Sequence, residues 1–182
     1  SDQWAVSNMA TTVDSPYVRS YYNGTDIFGN PAGFGYRVEH PESYGDCAGC
    51  HAPGNASKTI DFESENWNLN NAVGDHMAGI HCDWCHKVSD VMVNTLPAYL
   101  KQKYLMRRPL DNIPSGGAGP MFGALDDVAY EWMGATYAPH MKDSRVCAIC
   151  HLDSHAGVPS EETYTEWEAS SYPAQGEGCP EC

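Results

Sequence analysis

The sequence predicts a mainly irregular chain with a few short α-helices and minimal β, organised around something other than an ordinary apolar core. Three observations predict it. Gly 17 and Pro 12 punctuate 182 residues, and such residues break regular elements. No long apolar period runs through the chain. Eight cysteines fall into four Cys-x-x-Cys pairs and leave none over. Composition narrows the class further. With 42% hydrophobic and 11% aromatic residues the chain has too much apolar surface to stay solvated and disordered. No run of about 20 apolar residues is present, so no transmembrane segment is predicted. Lys and Arg number 10 against 24 Asp and Glu, a net charge of −14, and nucleic acid is not an expected partner because phosphate contacts need clustered bases.

The elements follow in order. Leu96 to Met106 reads as a helix entered through Pro97 in its first turn. Pro114 to Pro120, PSGGAGP, reads as a flexible loop. The chain is accordingly expected to be a single domain over 1–182 with two lobes divided near 114–120. Leu125 to Met133 reads as a second helix. A third is expected from Ser160, whose hydroxyl can cap it, with Glu161 and Glu162 complementing the dipole of its first turn and Tyr164 and Trp167 on one face. Strand signals are faint throughout.

The chemistry lies in the cysteine pairs, Cys47/Cys50, Cys82/Cys85, Cys147/Cys150 and Cys179/Cys182. Histidine follows three of them at once, as His51, His86 and His151. Histidine holds only 8 of 182 positions, so this recurrence is not a matter of composition. Cys-x-x-Cys-His is the attachment signature of c-type haem: two thiols reach the two vinyl groups of one porphyrin, and the adjacent imidazole becomes the proximal ligand of the iron. A four-cysteine zinc ribbon wants knuckles about 15–20 residues apart, whereas 31, 61 and 28 residues separate these pairs. A disulfide framework has no use for the histidines, and thioredoxin-like chemistry needs a single pair in a βαβ context. The cofactor predicted is therefore haem c, on three complete motifs and a fourth truncated after Cys182. A thioether on a fraying terminus is a poor anchor, so the polypeptide is expected to continue, with histidine next.

Five histidines remain as distal candidates: His81, His140, His76, His155 and His40. They suffice for bis-histidine irons throughout, which pass electrons without binding substrate. His81 and His76 lie just ahead of Cys82 and are placed to serve a neighbouring haem. His155 would face the same side as His151 if both share a helical turn. Met9 is the methionine considered as an axial ligand. In so irregular a chain the haem faces supply a core, lined by aromatic residues such as Trp84, Trp132 and Trp167. One internal echo is present: Trp4-x-x-Ser7 recurs as Trp167-x-x-Ser170. If it is genuine, a further haem motif is expected ahead of Ser1.

GDCAGCHAP (Gly45 to Pro53), GIHCDWCHKV (Gly79 to Val88), SRVCAICH (Ser144 to His151) and the YTEWEASSY…GCPEC tail (Tyr164 to Cys182) resemble the multihaem c-type cytochromes, among them the octahaem and tetrahaem relatives of hydroxylamine oxidoreductase. The resemblance covers less than half the chain. It implies a multihaem cytochrome c fold built around a haem core, bis-histidine irons, haems in stacked or T-shaped pairs, and electron transfer in the periplasm or the cell exterior. By the same resemblance His81 and His140 are distal ligands. Many relatives carry W-x-x-S-x-H near the start, where this chain has Met9.

The function expected is electron transfer through a chain of haems, as carrier, conduit or subunit of an extracellular cytochrome filament, with redox proteins or copies of itself as partners. The alternative is a multihaem oxidoreductase acting on a small nitrogen or sulfur oxyanion. That would need an open iron and basic residues. Lys101, Lys103, Arg107 and Arg108 form the one basic concentration, read more simply as a solvated helix face. Asn23-Gly-Thr25 and Asn55-Ala-Ser57 match the glycosylation tripeptide.

Overall fold

The computed structural model describes residues 2–59, 61–92, 104–106, 121–126, 135–155 and 158–181. Short helices dominate and strands are few, as expected. The chain divides into two compact units, Ser1–Cys85 and His86–Cys182.

The first unit is helical. It contains α1 (Asp2–Ala5), α2 (Pro16–Asn23), α3 (Tyr36–Glu39), α4 (Cys47–His51), α5 (Pro53–Ala56) and α6 (Cys82–Cys85), with four 3-10 turns between them. Proline sets the breaks. Pro16 and Pro53 open α2 and α5, where a missing amide hydrogen costs nothing, and Pro53 forbids α4 from continuing. The core forms because alanine recurs every fourth residue across that break. Ala48, Ala52 and Ala56 are wholly buried, under Val13, Tyr22, Trp67 and Leu69. Arg19 ties α2 to the rest, donating from Nε to the Val13 carbonyl at 2.7 Å and from Nη1 to Asn70 Oδ1 at 2.7 Å. Tyr22, 1% exposed, stacks parallel to Tyr36 with centroids 6.2 Å apart. Its hydroxyl donates to the Tyr44 carbonyl at 3.2 Å and accepts the Leu69 amide at 3.4 Å, and burial pushes its pKa up to about 12.

The two glycosylation tripeptides are structural here. Asn55 is buried, donates to the Asn66 carbonyl at 2.9 Å and accepts Lys58 Nζ at 3.1 Å. Asn23 exchanges amide hydrogen bonds with Asn70 at 3.2 and 2.6 Å.

The second unit carries the strands. Among the described residues they are β1 (Val88–Val91), β2 (Tyr104–Met106), β3 (Met121–Gly123), β4 (Ala135–Tyr137), β5 (Asp153–His155) and β6 (Val158–Glu161). They form three two-stranded sheets: β1 with β2 antiparallel, β3 with β4 parallel, β5 with β6 antiparallel. The helices are α7 (Arg145–His151), α8 (Thr163–Ala169) and α9 (Tyr172–Gln175), with 3-10 turns at Pro139–Lys142 and Cys179–Glu181. Ala138, Ala148, Ile149 and Tyr164 are buried.

Three sequence expectations change. The helix expected over 96–106 ends in a strand, since Tyr104–Met106 pairs with β1, and the remainder lies outside the described residues. Leu125 and Asp126 are not helical; 127–133 and the loop 114–120 also lie outside. The helix expected from Ser160 begins at Thr163. Ser160 and Glu161 belong to β6, because the hairpin claims their backbone and pairs Glu161 with Asp153.

Candidate haem attachment sites

Each complete Cys-x-x-Cys-His motif sits on a short helix. α4 ends at His51, α6 ends immediately before His86, and α7 ends at His151. At least one residue between the cysteines packs inward in each: Ala48 in the first motif, Trp84 in the second, Ala148 and Ile149 in the third are buried, while Asp83 is exposed. In the first motif Gly49 lies under Trp67, whose ring carbon would be 3.2 Å from any added Cβ. Cys47, Cys50, Cys85, Cys147, Cys150 and Cys179 are partly exposed and Cys82 is exposed. None of these seven is in a disulfide. Burial pushes the Cys85 thiol up to about 11, the opposite of the lowered pKa a redox-active pair needs. Among the described residues no three His, Cys, Asp or Glu side chains converge as a bare-metal site.

The histidines divide by the unit that holds them. In the first unit His51 forms part of the wall of a cleft of about 690 Å³, together with Thr11, Thr12, Pro16, Tyr17 and Val18. That size is within the roughly 300–1,000 Å³ of cofactor clefts. Thr12 Oγ1 donates to the His51 carbonyl at 2.8 Å, fixing the end of α4. His51 Nδ1 is buried without a hydrogen-bond partner, and desolvation lowers the pKa of the ring.

His76 and His81 come together, ring centroids 5.7 Å apart. Both press on Gly54, just past the first motif: a Cβ there would lie 2.4 Å from His81 Nε2 and 2.7 Å from His76 Nδ1. Both of those nitrogens are buried and lack a partner. Desolvation is the leading cause that lowers both pKa values, which favours the uncharged ring, the form that ligates metals. The Trp84 amide donates to His81 Nδ1 at 3.2 Å, which leaves the ring proton on Nε2. Ligation through Nε2 would move that proton to Nδ1 and release the amide. His40 is exposed, its ring 5.0 Å from that of Tyr36.

In the second unit His86 is oriented from both ends. Its carbonyl accepts the Phe122 amide at 2.7 Å, and its Nδ1 is hydrogen-bonded to the Phe122 carbonyl. An imidazole held through Nδ1–H by a backbone carbonyl presents Nε2 as a ligand. The Phe122 ring lies 6.5 Å from that of His140. His140 is buried with Nε2 bonded to the Val88 carbonyl at 2.9 Å, so its usual ligating nitrogen is engaged. His151 Nδ1 lies 3.6 Å from Glu161 Oε1. Hydrogen bonds from Thr163 are the first cause holding the Glu161 carboxyl below the usual range, with His151 a smaller one. His151 and His155 do not share a helical turn: α7 stops at His151, Leu152 is extended, and His155 lies in β5.

Several residues positioning these imidazoles carry no signal in the sequence. Glu161 reads as a helix-dipole acid, and it becomes the carboxylate beside His151 because β6 returns antiparallel to β5. The Phe122 carbonyl and Gly54 are equally silent, since a carbonyl belongs to any residue and Gly54 matters only through what packs on it. Trp167 donates from Nε1 to the Glu177 carbonyl, and Trp132 lies outside the described residues, as does Cys182.

These features fit a covalently held haem: thiols separated by two residues on short helices, imidazoles beside them, buried ring nitrogens left unpaired, and a cleft walled by His51. No protein-family model matches the chain, and no curated protein sequence matches it. Among solved structures it resembles a penta-heme cytochrome c552 from Thermochromatium tepidum, with a TM-score of 0.55 and 17% sequence identity. The alignment covers 92% of this chain and 47% of that one, so this chain spans about half the length of its structural neighbour. Short helices carrying the attachment motifs, little strand and this likeness together make the fold that of a multihaem cytochrome c.

Proposed function

We propose that the chain is an electron-transfer protein of the periplasm or cell exterior, carrying haem c on its Cys-x-x-Cys pairs. His51, His86 and His151 are the proximal ligands, and distal ligands are drawn from His81, His76, His140, His155 and His40. The observation that carries this reading is the common build of the three complete motifs. Each sets its thiols on a short helix, buries at least one of the two intervening residues, and places histidine at or just past the helix end. Nothing in zinc or disulfide chemistry asks for that arrangement three times.

Bound haem supplies one-electron chemistry through its iron. The chain's own part is to fix the imidazoles and to set the field around them. The Phe122 carbonyl steers His86, and the Glu161 carboxylate faces His151; both contacts make the imidazole a stronger donor, which favours the ferric state. The net charge of −14 acts at longer range and steers the protein toward basic patches on redox partners. Copies of the same chain, assembled in a multimer or filament, are the other partners proposed.

The test is the haemochrome spectrum of purified protein together with its intact mass under denaturing conditions. Haem that stays covalently attached, with low-spin irons that do not readily take nitrite, hydroxylamine or cyanide, is the expected result. Colourless protein, or haem lost on denaturation, overturns the proposal. A high-spin iron that binds one of those ligands would favour the oxidoreductase reading.

A further inference from the structure

The Trp-x-x-Ser echo has matching geometry at both places. Ser7 Oγ donates to the Trp4 carbonyl at 2.7 Å, and Ser170 Oγ donates to the Trp167 carbonyl at 2.6 Å. Trp4 Nε1 donates to the Ile80 carbonyl at 2.8 Å, and Trp167 Nε1 donates to the Glu177 carbonyl at 3.0 Å. In return the Ile80 amide donates to the Met9 carbonyl at 3.0 Å, and the Glu177 amide to the Tyr172 carbonyl at 3.0 Å. Met9 and Tyr172 each stand five residues after their tryptophan. Ile80 and Glu177 each stand two residues before the first cysteine of a pair, Cys82 and Cys179. Each is preceded by a glycine with positive φ, Gly79 at 59° and Gly176 at 78°, a conformation other residues rarely adopt. At Gly79 a side chain would also strike Thr12 Oγ1 at 2.3 Å and the Met9 carbonyl at 2.5 Å.

A serine hydroxyl bonding back to a carbonyl three residues earlier is ordinary at a helix end. The remaining bonds are not local. The indole reaches 76 residues along the chain in the first unit and 10 in the second, with unrelated sequence between, so chain proximity cannot be their common cause. What the two places share is the Cys-x-x-Cys pair that follows. The other two pairs are approached differently: the Gly45 amide bonds to Ser43 Oγ at 3.2 Å, and the Arg145 amide to Asp143 Oδ1 at 2.9 Å. There a short side chain four residues before the cysteine holds the amide two residues before it. Each unit thus holds one pair led in by a local side-chain turn and one led in by a tryptophan clamp.

We infer that Trp4 and Trp167 are equivalent positioning residues, each the keystone of one copy of a clamp that sets the second and fourth cysteine pairs in register for their haems. The inference rests on the haem reading proposed above. An indole offers one donor and no acceptor, so each clamp fixes a single carbonyl, and the returning amide bond fixes the same residue from its other side. Two bonds on one residue hold the path into the Cys-x-x-Cys turn, and thioether attachment depends on that path. The copies differ at the residue before the cysteine. His81 in the first brings an imidazole against Gly54, beside the first motif, whereas Gly178 in the second brings none, so the second clamp offers no imidazole to a neighbouring haem.

The experiment compares Trp4→Phe and Trp167→Phe, separately, in the haem-loaded full-length protein, by intact mass and low-temperature electron paramagnetic resonance. Phenylalanine keeps a ring and removes the donor. The expected result is that each variant loses one haem equivalent or changes the g-values of one haem, that the haem differs between variants, and that the others keep wild-type signals. Ser7→Ala and Ser170→Ala, milder and partly exposed, should move the same two haems in the same direction. Wild-type haem content and spectra in both tryptophan variants, with only a lower melting temperature, would overturn the inference. So would equal disturbance of every haem by either variant. Wild-type protein without covalent haem would instead sink the haem reading itself, and the two failures are thereby distinguished.

Discussion

Single residues decide whether the imidazoles of the first unit can approach one another. Gly54 lies where a methyl group would fall 2.4 Å from one ring nitrogen and 2.7 Å from another, so both rings would have to shift to admit it. Gly54→Ala is expected to lower stability by about 1–3 kcal/mol, as overpacking does, and to change the ligand field of one haem; a thermal melt and a low-temperature spectrum of the same sample check both. Tyr22 carries a pH dependence of its own. Its pKa is raised from 10.0 to about 12, so the folded state disfavours tyrosinate and holds its full contribution below pH 10. That contribution, up to about 3 kcal/mol for a shift of this size, is lost as the pH climbs from 10 through 12. Urea melts across that window should show stability falling with pH in the wild type and a flatter profile in Tyr22→Phe, which starts lower by about 1 kcal/mol for its lost hydrogen bonds.

At the scale of elements, the β5–β6 hairpin shows how little of a site's electrostatics is local. Ser160, Glu161 and Glu162 read as the start of a helix, and the reading fails because a strand pairing with Asp153–His155 takes the backbone first. The consequence is chemical: Glu161 meets the imidazole of the third motif across the hairpin. Glu161→Gln removes that charge while keeping a hydrogen-bond acceptor, and the midpoint potential of the haem on Cys147 and Cys150 is expected to rise by roughly 20–40 mV, the equivalent of about 0.5–1 kcal/mol for one electron near the surface. Redox titration followed haem by haem measures it. An unchanged potential would mean that the carboxylate is too well solvated to act. Elements also show what was legible. Cys-x-x-Cys-His is a contiguous signal, so its three copies could be located by reading, whereas the short helices that carry them appear only in the structure. The helices expected over 96–106 and 125–133 rested on local signals, such as Pro97 in a first turn, that cannot name a strand partner elsewhere in the chain, and the described part of the first is a strand.

For the whole molecule, few large apolar side chains are wholly buried among the described residues. Four of the eight buried residues at the centre of the first unit are alanines, and alanine buries little surface per residue. A chain produced without haem attachment is therefore expected to melt without a sharp transition and to be cut rapidly by protease. The loaded protein should resist under the same conditions, and limited proteolysis of both forms makes the comparison. Charge acts at this scale too. With 24 acids against 10 bases, reduction by a cationic mediator should slow as salt rises and reduction by an anionic one should quicken; stopped-flow rates at several ionic strengths separate the two.

Attachment chemistry was decided by the amino-acid sequence alone, because thiol, thiol and imidazole within five consecutive residues make a complete ligand set whatever the rest of the chain does. The pool of further histidines was equally open to reading. What surrounds each of them was not. His76 meets His81 over Gly54, His86 faces a carbonyl 36 residues away, His140 turns to Val88, and Trp4 closes on Ile80 from 76 residues off. Hydrogen bonds of that reach exist only once the chain has packed, since nothing in the local sequence of either partner names the other.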